Sequence, residues 1–188
     1  MARLSPYHLC FSGLLTTGIL LLPACTPAPE TNKENNDFTV DIRNNNGVNI
    51  GTATLNDIGD GGVELSIHAG GISAGPHGMH FHVKADCSSS DFKSAGGHIN
   101  PDGKPHGLHH PEGPDNADMP NGIAGSDGRL MVTVTNDRVT LYPRDDRPAL
   151  LDEDGSALII HINPDDGVTQ PIGGAGARIA CAPIILEE

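Results

Sequence analysis

The chain has 188 residues, enough for one domain with a processed end, and acidic residues outnumber basic ones 24 to 11, which gives a formal net charge of −13. It has no tryptophan and few other aromatic residues, so it lacks the stacking platforms that bind nucleic acid. Because acidic residues predominate, it also lacks the basic patches that neutralise phosphates. The 24 glycines and 15 prolines exceed what a helical domain tolerates. We therefore predict an all-β domain with long loops and no nucleic-acid partner.

Residues 1–24 are typical of an export signal. Arg3 precedes an apolar stretch from about residue 9 to 22, which is too short and too interrupted to favour a membrane span. Residues 22–25, Leu-Pro-Ala-Cys, resemble a bacterial lipobox, in which cleavage leaves the cysteine as a lipid-bearing first residue. We expect a lipoprotein anchored through Cys25 on the periplasmic side of the cell envelope. The outer membrane is favoured, although the sequence leaves the choice of membrane open.

Residues 25–37 combine proline with polar residues and predict a flexible tether, so the folded domain is expected to span 38–188. Alternating apolar patterns predict strands along this domain, and the segment 157–162, apolar on both faces, is expected to be central. Two segments rich in glycine and aspartate, 85–128 and 163–176, predict long functional loops. The other predicted strands are 38–43, 48–58, 63–69, 129–135, 138–142 and 177–186.

The segment 77–87, His-Gly-Met-His-Phe-His-Val-Lys-Ala-Asp-Cys, places two histidines two residues apart on a predicted strand. Side chains alternate along a strand, so His80 and His82 share one face with Cα atoms roughly 6.5–7 Å apart. Two imidazoles at this distance can bind one ion, and imidazole suits copper, zinc, iron and nickel. Two histidines at a half-buried face could also be structural. His68 is predicted to be a surface histidine.

Export would place the chain in an oxidising compartment, where Cys87 and Cys181 can form a disulfide. Such a bond would link the loop after the histidine strand to the last predicted strand. We expect this bridge to be structural.

Taken together, these motifs resemble the copper/zinc superoxide dismutase family, specifically its bacterial exported form. The resemblance covers residues 38–186 and rests on four motifs in the family's order: HGMHFHVKADC, DFKSAGGHINP, HINPDDG and GGAGARIACAPI. It implies a Greek-key β-sandwich or flattened barrel of about eight antiparallel strands. It also implies dismutation of superoxide to oxygen and hydrogen peroxide with copper and zinc as cofactors.

The resemblance also implies roles for individual residues. Arg178 would hold the superoxide anion, Asp165 would link the two metal sites as a carboxylate that binds neither metal, and His77 would support the loops. His98 would bridge copper to zinc. The implied copper ligands are His80, His82, His98 and His161, and the implied zinc ligands include His98, His106 and Asp118.

One position departs from the family pattern. A third zinc histidine is expected nine residues after His106, where this chain has Asp115. We predict that Asp115 completes the zinc site with His98, His106 and Asp118, because zinc accepts two carboxylates and two imidazoles. His109 and His110 lie nearby and are an alternative source of a ligand.

Two other functions remain open from the sequence. The chain could be a copper-only dismutase with a degraded zinc site, or a non-catalytic copper-binding lipoprotein of the envelope with the same fold. The retained copper-type histidines and Arg178 favour turnover. The sequence leaves open whether the protein is a monomer or a homodimer.

Overall fold

The structure is a computed structural model, and it describes residues 37–186. The predicted export signal, the lipidation site at Cys25 and all but the last residue of the tether lie outside the described residues. Within 37–186, the structure contains no helix long and apolar enough to cross a membrane.

The described residues form nine β-strands in one antiparallel sheet. Two short 3₁₀ turns, Gly59–Gly61 and Lys93–Ala95, accompany them. The strands are β1 Asp37–Asn44, β2 Asn49–Asp57, β3 Val63–Ala69, β4 Gly75–His77, β5 Met79–His82, β6 Gly122–Ala124, β7 Leu130–Asn136, β8 Ser156–His161 and β9 Arg178–Ile184. The predicted all-β antiparallel architecture is therefore confirmed, with nine strands instead of about eight.

The sheet curves into a nearly closed barrel. Its strand order is β4-β6-β7-β3-β2-β1-β9-β8-β5, so the two end strands, β4 and β5, are consecutive in the chain and joined through the single residue Gly78. Strand β1 connects the strands β4-β6-β7-β3-β2 on one side to β9-β8-β5 on the other. It pairs with β2 along most of its length and with β9 at Arg43 and Asn44.

Alternation along the strands decides which side chains form the core. In β3, Val63, Leu65 and Ile67 are buried, while the residues between them face outwards and His68 is exposed, as predicted. All six residues of β8 are buried, which agrees with its position between β9 and β5. Burial of apolar surface on the inner face is the main stabilising contribution to such a barrel.

The prediction of a strand at 138–142 is wrong. Only Thr140 makes a bridge, to Ala149, and its backbone bonds to Pro148 and Leu150 within the returning loop. Val139 and Leu141 are fully buried, so the apolar alternation reflects burial without a ladder of strand hydrogen bonds. Strands β4 and β6 were not predicted, because each has three residues and includes glycine.

Three long loops lie between strands: the first loop (83–121, between β5 and β6), the segment 137–155 between β7 and β8, and the second loop (162–177, between β8 and β9). The predicted disulfide is confirmed: Cys87 in the first loop is bonded to Cys181 in β9, with Cα atoms 5.9 Å apart. The bond attaches the first loop to the barrel.

We predict that reducing this disulfide destabilises the protein. The cysteines are separated by 94 positions, and for a loop of that length the chain-entropy estimate is a loss of about 4–5 kcal/mol in the free energy of unfolding. The measurement is the urea unfolding midpoint of the mature chain with and without reductant, with reduction verified by mass. A Cys87→Ser/Cys181→Ser variant should show no reductant effect, and an unchanged midpoint in the reduced wild type would contradict the prediction.

Candidate metal centre

Strand β5 carries the first two histidines of the site. Met79 and Phe81 belong to the hydrophobic core, so alternation turns His80 and His82 to the opposite face. Both histidines are nevertheless fully buried, because the two loops cover that face. The spacing of two that was identified in the sequence therefore produces a buried imidazole pair.

Two further histidines complete this group. His98, in the first loop, forms a backbone bridge with His82, and its ring centroid lies 4.3 Å from that of His80. His161 ends β8, and its ring lies 5.0 Å from His80 and 6.1 Å from His82. The ligand nitrogens of His80, His82 and His98 lie within 4.8 Å of one another.

Hydrogen bonds determine which ring nitrogens are left free. His82 Nδ1 donates to Gly96 O at 2.9 Å, and His161 Nδ1 donates to Gly176 O at 3.0 Å. A neutral imidazole that donates through one nitrogen presents a lone pair on the other. The free nitrogens are therefore Nε2 of His82 and Nε2 of His161.

In His80 the other ring nitrogen, Nε2, makes the hydrogen bond, and its partner is a carboxylate. Its Nε2 donates to Asp165 Oδ2 at 2.8 Å, which leaves Nδ1 free. The other oxygen of Asp165 lies 3.1 Å from His106 Nε2 and also accepts the backbone N–H of Gly167 at 2.7 Å. Asp165 thus connects His80 to His106, as the resemblance implies.

A second group lies on the other side of His98. The ligand atoms of its four members lie within 4.8 Å of one another. His98 Nδ1 is 2.9 Å from Asp115 Oδ2, and His106 Nδ1 is 2.5 Å from Asp118 Oδ1. Because His98 Nε2 faces the first group, its ring is shared between the two groups. The second group consists of His98, His106, Asp115 and Asp118.

Both groups fit a metal cation. Apart from Asn116 Oδ1, every buried side-chain nitrogen or oxygen that lacks a hydrogen-bond partner in 37–186 belongs to this centre. Buried polar atoms without partners are costly, so their concentration here fits the donor set of a metal site. These atoms are His80 Nδ1, His82 Nε2, His98 Nε2, His161 Nε2, His106 Nδ1 and Asp118 Oδ1, of which the last two face each other as an ion pair.

Electrostatics differ between the groups. Burial, reinforced by nearby cationic groups, lowers the pKa of His82 to about 2 and that of His161 to about 3, so both remain neutral, as metal ligands must. At His106 burial opposes the charged form, but hydrogen bonds to Asp115, Asp118 and Asp165 outweigh it and raise the pKa to about 11. Positive charge is therefore strongly favoured in the second group.

Arg178 begins β9 beside this centre. Its guanidinium donates to Phe92 O at 2.6 Å and to Gly96 O at 2.7 Å, and Gly96 O is also the acceptor for His82 Nδ1. One carbonyl thus fixes both a histidine of the first group and the arginine. A pocket of about 660 Å³ is lined by Arg178, Lys93 and His161.

The remaining histidines in this region lie outside the metal-type groups. His109 is exposed and bonds through its backbone to Gly167, while His110 Nδ1 accepts the backbone N–H of Glu112 at 3.1 Å. His77 is buried, with Nδ1 2.7 Å from His161 O and Nε2 2.8 Å from Ser73 O. These two hydrogen bonds connect His77 to the backbone at His161 and Ser73.

Three residues that position the loops were not identified from the sequence. Asn121 exchanges two 2.8 Å hydrogen bonds with the backbone of Asp165. Gln170 does the same with the backbone of His106, at 3.0 and 2.7 Å. Arg138 donates to the carbonyls of Asp115 and Asp118. Amide and arginine residues are common in loops, so their types and positions gave no signal.

Comparison with known proteins finds similarity over most of the domain. A family model described as copper/zinc superoxide dismutase matches residues 49–184. The chain is 43% identical over 147 residues to a Cu-Zn superoxide dismutase of Caulobacter vibrioides, covering 78% of this chain and 84% of that protein. It is 38% identical over 180 residues to Cu-Zn superoxide dismutase 2 of Aquifex aeolicus, covering 92% and 97%.

Among solved structures, a superoxide dismutase-like protein from Bacillus subtilis superposes with a TM-score of 0.74. It is 37% identical to this chain, and the match covers 78% of this chain and 97% of that one.

We predict that Gly173→Ala disrupts the centre while Gly174→Ala does not. Both glycines have positive φ, +59° and +68°, so alanine costs about 1 kcal/mol or more in backbone strain at either position. At Gly173, however, the added Cβ would lie 1.6 Å from Asp165 Oδ1, whereas at Gly174 it meets nothing within 4 Å. Bound metal, measured by elemental analysis, should fall only in Gly173→Ala. Equal metal contents in the two variants would contradict the prediction.

Proposed function

The chain belongs to the copper/zinc superoxide dismutase family, and from that premise we propose that it catalyses the dismutation of superoxide to oxygen and hydrogen peroxide. The observation that carries the proposal is a set of four imidazoles, each with a buried free nitrogen. The ligand nitrogens of His80, His82 and His98 lie within 4.8 Å of one another, and the His161 ring lies 5.0 Å from that of His80. Nitrogen-rich sets of this kind suit copper. The proposed copper ligands are His80 Nδ1, His82 Nε2, His98 Nε2 and His161 Nε2.

Copper, when bound, supplies the redox chemistry: one superoxide is oxidised to oxygen and a second is reduced to hydrogen peroxide. The chain supplies orientation, because the Gly96 and Gly176 carbonyls and the Asp165 carboxylate each fix one imidazole. His98 is the one ring in 37–186 that belongs to both groups. We assign it a proton relay: Nε2, when it is not acting as a ligand, would take a proton from water and give it to the reduced substrate.

Arg178 is proposed to bind the superoxide anion. Its guanidinium is permanently charged, and two carbonyls hold it in the pocket that His161 also lines. The chain as a whole carries a net charge of −13, so long-range attraction of an anion depends on few local cations. Lys93, on the same pocket, is a second candidate for steering, and Lys104 in the first loop is a third.

The second group is proposed to hold zinc through His98, His106, Asp115 and Asp118. Zinc accepts imidazole and carboxylate ligands, is not redox-active and could anchor His98 through Nδ1. Asp165 would transmit the position of one metal site to the other, because it contacts a histidine of each. His109 and His110 are then spectators.

We also propose that the mature protein is a lipoprotein anchored through Cys25, with residues 1–24 removed and 25–37 as its tether. The lipobox-like sequence supports this proposal, and a disulfide is typical of an exported protein. The enzyme would then remove superoxide on the periplasmic side of the envelope, at the outer membrane.

A non-catalytic copper-binding protein is the alternative. One similar protein, from Bacillus subtilis, carries the name superoxide dismutase-like protein. Arg178 and His161 line the same pocket, which favours a catalytic role over copper storage, because storage of copper requires no anion-binding group.

The test is a superoxide-decay assay on purified protein together with its copper content. Wild type should accelerate the decay, whereas His82→Ala should lose copper and activity together, since β5 then offers one imidazole. His68→Ala is the matched control, because His68 is exposed on β3 away from the centre. Copper binding without accelerated decay would favour the non-catalytic alternative, and full turnover in His82→Ala would remove that residue from the site.

A separate prediction concerns the zinc ligands. Asp115→Ala should lose zinc, because Asp115 Oδ2 lies beside His98 Nδ1 in the second group. His109→Ala/His110→Ala should keep zinc, because neither histidine belongs to that group. Elemental analysis of the two variants is the measurement. Loss of zinc from the double histidine variant alone would show that the loop has recruited a histidine, and a wild type without zinc would indicate a copper-only enzyme.

A further inference from the structure

Arg138 lies behind the second group, two residues after the end of β7. Its Nε donates to the carbonyl oxygen of Asp115 at 3.1 Å, and its Nη2 donates to the carbonyl oxygen of Asp118 at 2.5 Å. The two acidic members of the second group are thus held from behind by one planar guanidinium. A fork of this kind fixes two acceptors relative to each other, which a lysine cannot do.

Arg138 contacts the backbone of Asp115 and Asp118, so their carboxylate oxygens Asp115 Oδ2 and Asp118 Oδ1 remain next to the histidines. Arg138 bonds to their backbone oxygens, while Asp115 Oδ2 remains beside His98 and Asp118 Oδ1 beside His106. An arginine on the carboxylates themselves would compete with a cation for their lone pairs. Arg138 instead sets the spacing of the carboxylates without occupying them.

The charge of Arg138 is already partly compensated. Its Nη1 donates to Asp137 Oδ1 at 2.9 Å, and its side chain is 25% exposed. Hydrogen-bond geometry therefore carries its effect on the second group more than charge does.

Neighbouring residues limit how the segment 115–118 can move. Asn136 donates to Asn116 O at 2.8 Å, and Asn116 in turn donates to Arg138 O at 3.2 Å. Asp118 Oδ2 accepts the backbone N–H of Asp115 at 2.9 Å. Within this network, Arg138 is the residue in 37–186 whose side chain contacts the carbonyls of both carboxylate-bearing residues.

We propose that Arg138 is the positioning residue of the second group: it fixes the separation of Asp115 and Asp118 so that both carboxylates can bind one divalent cation. This inference rests on the proposed zinc site and adds a residue to it. Two carboxylates in one site repel each other, so a binding geometry with both directed at one point needs such a support.

The test uses the metal-free full chain, zinc alone as the ligand and a chromophoric chelator as competitor. Arg138→Gln should weaken zinc binding by about tenfold or more, because two hydrogen bonds that fix the ligands are lost. Arg129→Gln is the matched control, since Arg129 is exposed and pairs only with its neighbour Asp127. Arg138→Lys keeps the positive charge but not the planar fork, so it should also bind zinc more weakly than the wild type.

Cobalt(II) gives a readout that a general loss of stability would not change. Its visible absorption reports the geometry of a four-coordinate site, so folded Arg138→Gln, checked by circular dichroism, should show an altered spectrum while copper is retained. Wild-type zinc affinity and spectrum in Arg138→Gln would overturn the proposal. If Arg138→Gln does not fold, wild-type affinity in Arg138→Lys overturns it.

Failure of the zinc assignment itself would look different. In that case the wild type would bind no zinc, and both the assignment and the role of Arg138 would be rejected. A wild type that binds zinc and an Arg138 variant that binds it equally well would reject only the role of Arg138.

Discussion

The burial of several imidazoles and carboxylates beneath two loops is the constraint on which this structure depends. A buried polar atom without a partner costs about 1–3 kcal/mol, and four imidazole nitrogens of this centre have none. A domain of this size has a net stability of only about 5–15 kcal/mol. A cation bound to these atoms would offset that cost, and its binding would then contribute to the folding free energy.

Two backbone carbonyls and two carboxylates orient the four imidazoles of the first group. The carbonyl of Gly96 accepts hydrogen bonds from both His82 and Arg178, so the positions of an imidazole and a guanidinium are linked through one atom. Carboxamides perform the corresponding task between the loops, where Asn121 holds Asp165 and Gln170 holds His106. The histidines and carboxylates of the two groups are thus held in position by hydrogen bonds from outside the groups.

Much of the fold could be predicted from the sequence, because alternation along β3, β5 and β8 reports which face is buried. The structure brings together the predicted residues of both groups and places His109 and His110 outside them, whereas the metals and their ligands remain proposals. The segment 138–142 misled the prediction, since an alternating pattern reports burial and not strand pairing. Strands β4 and β6 contain too few residues to show a period.

Other features could not be predicted because they depend on long-range packing. Arg138 and Asp115 are 23 residues apart, and Gln170 and His106 are 64 apart, so only the folded chain shows that they meet. Asp115 was predicted from a departure at one family position, and its contact with His98 gives that departure a physical basis. Motifs identify residues that carry chemistry, whereas the residues that support them have no such signature.

The disulfide has a consequence for maturation as well as for stability. The acceptors for Arg178, the carbonyls of Phe92 and Gly96, lie on the segment that follows Cys87, and the partner cysteine lies three residues after Arg178 on β9. Oxidation therefore joins the two segments that meet at the Arg178 guanidinium. A newly made chain with free thiols could build its barrel before these two segments are joined, so the pocket around Arg178 would be completed only when the disulfide forms.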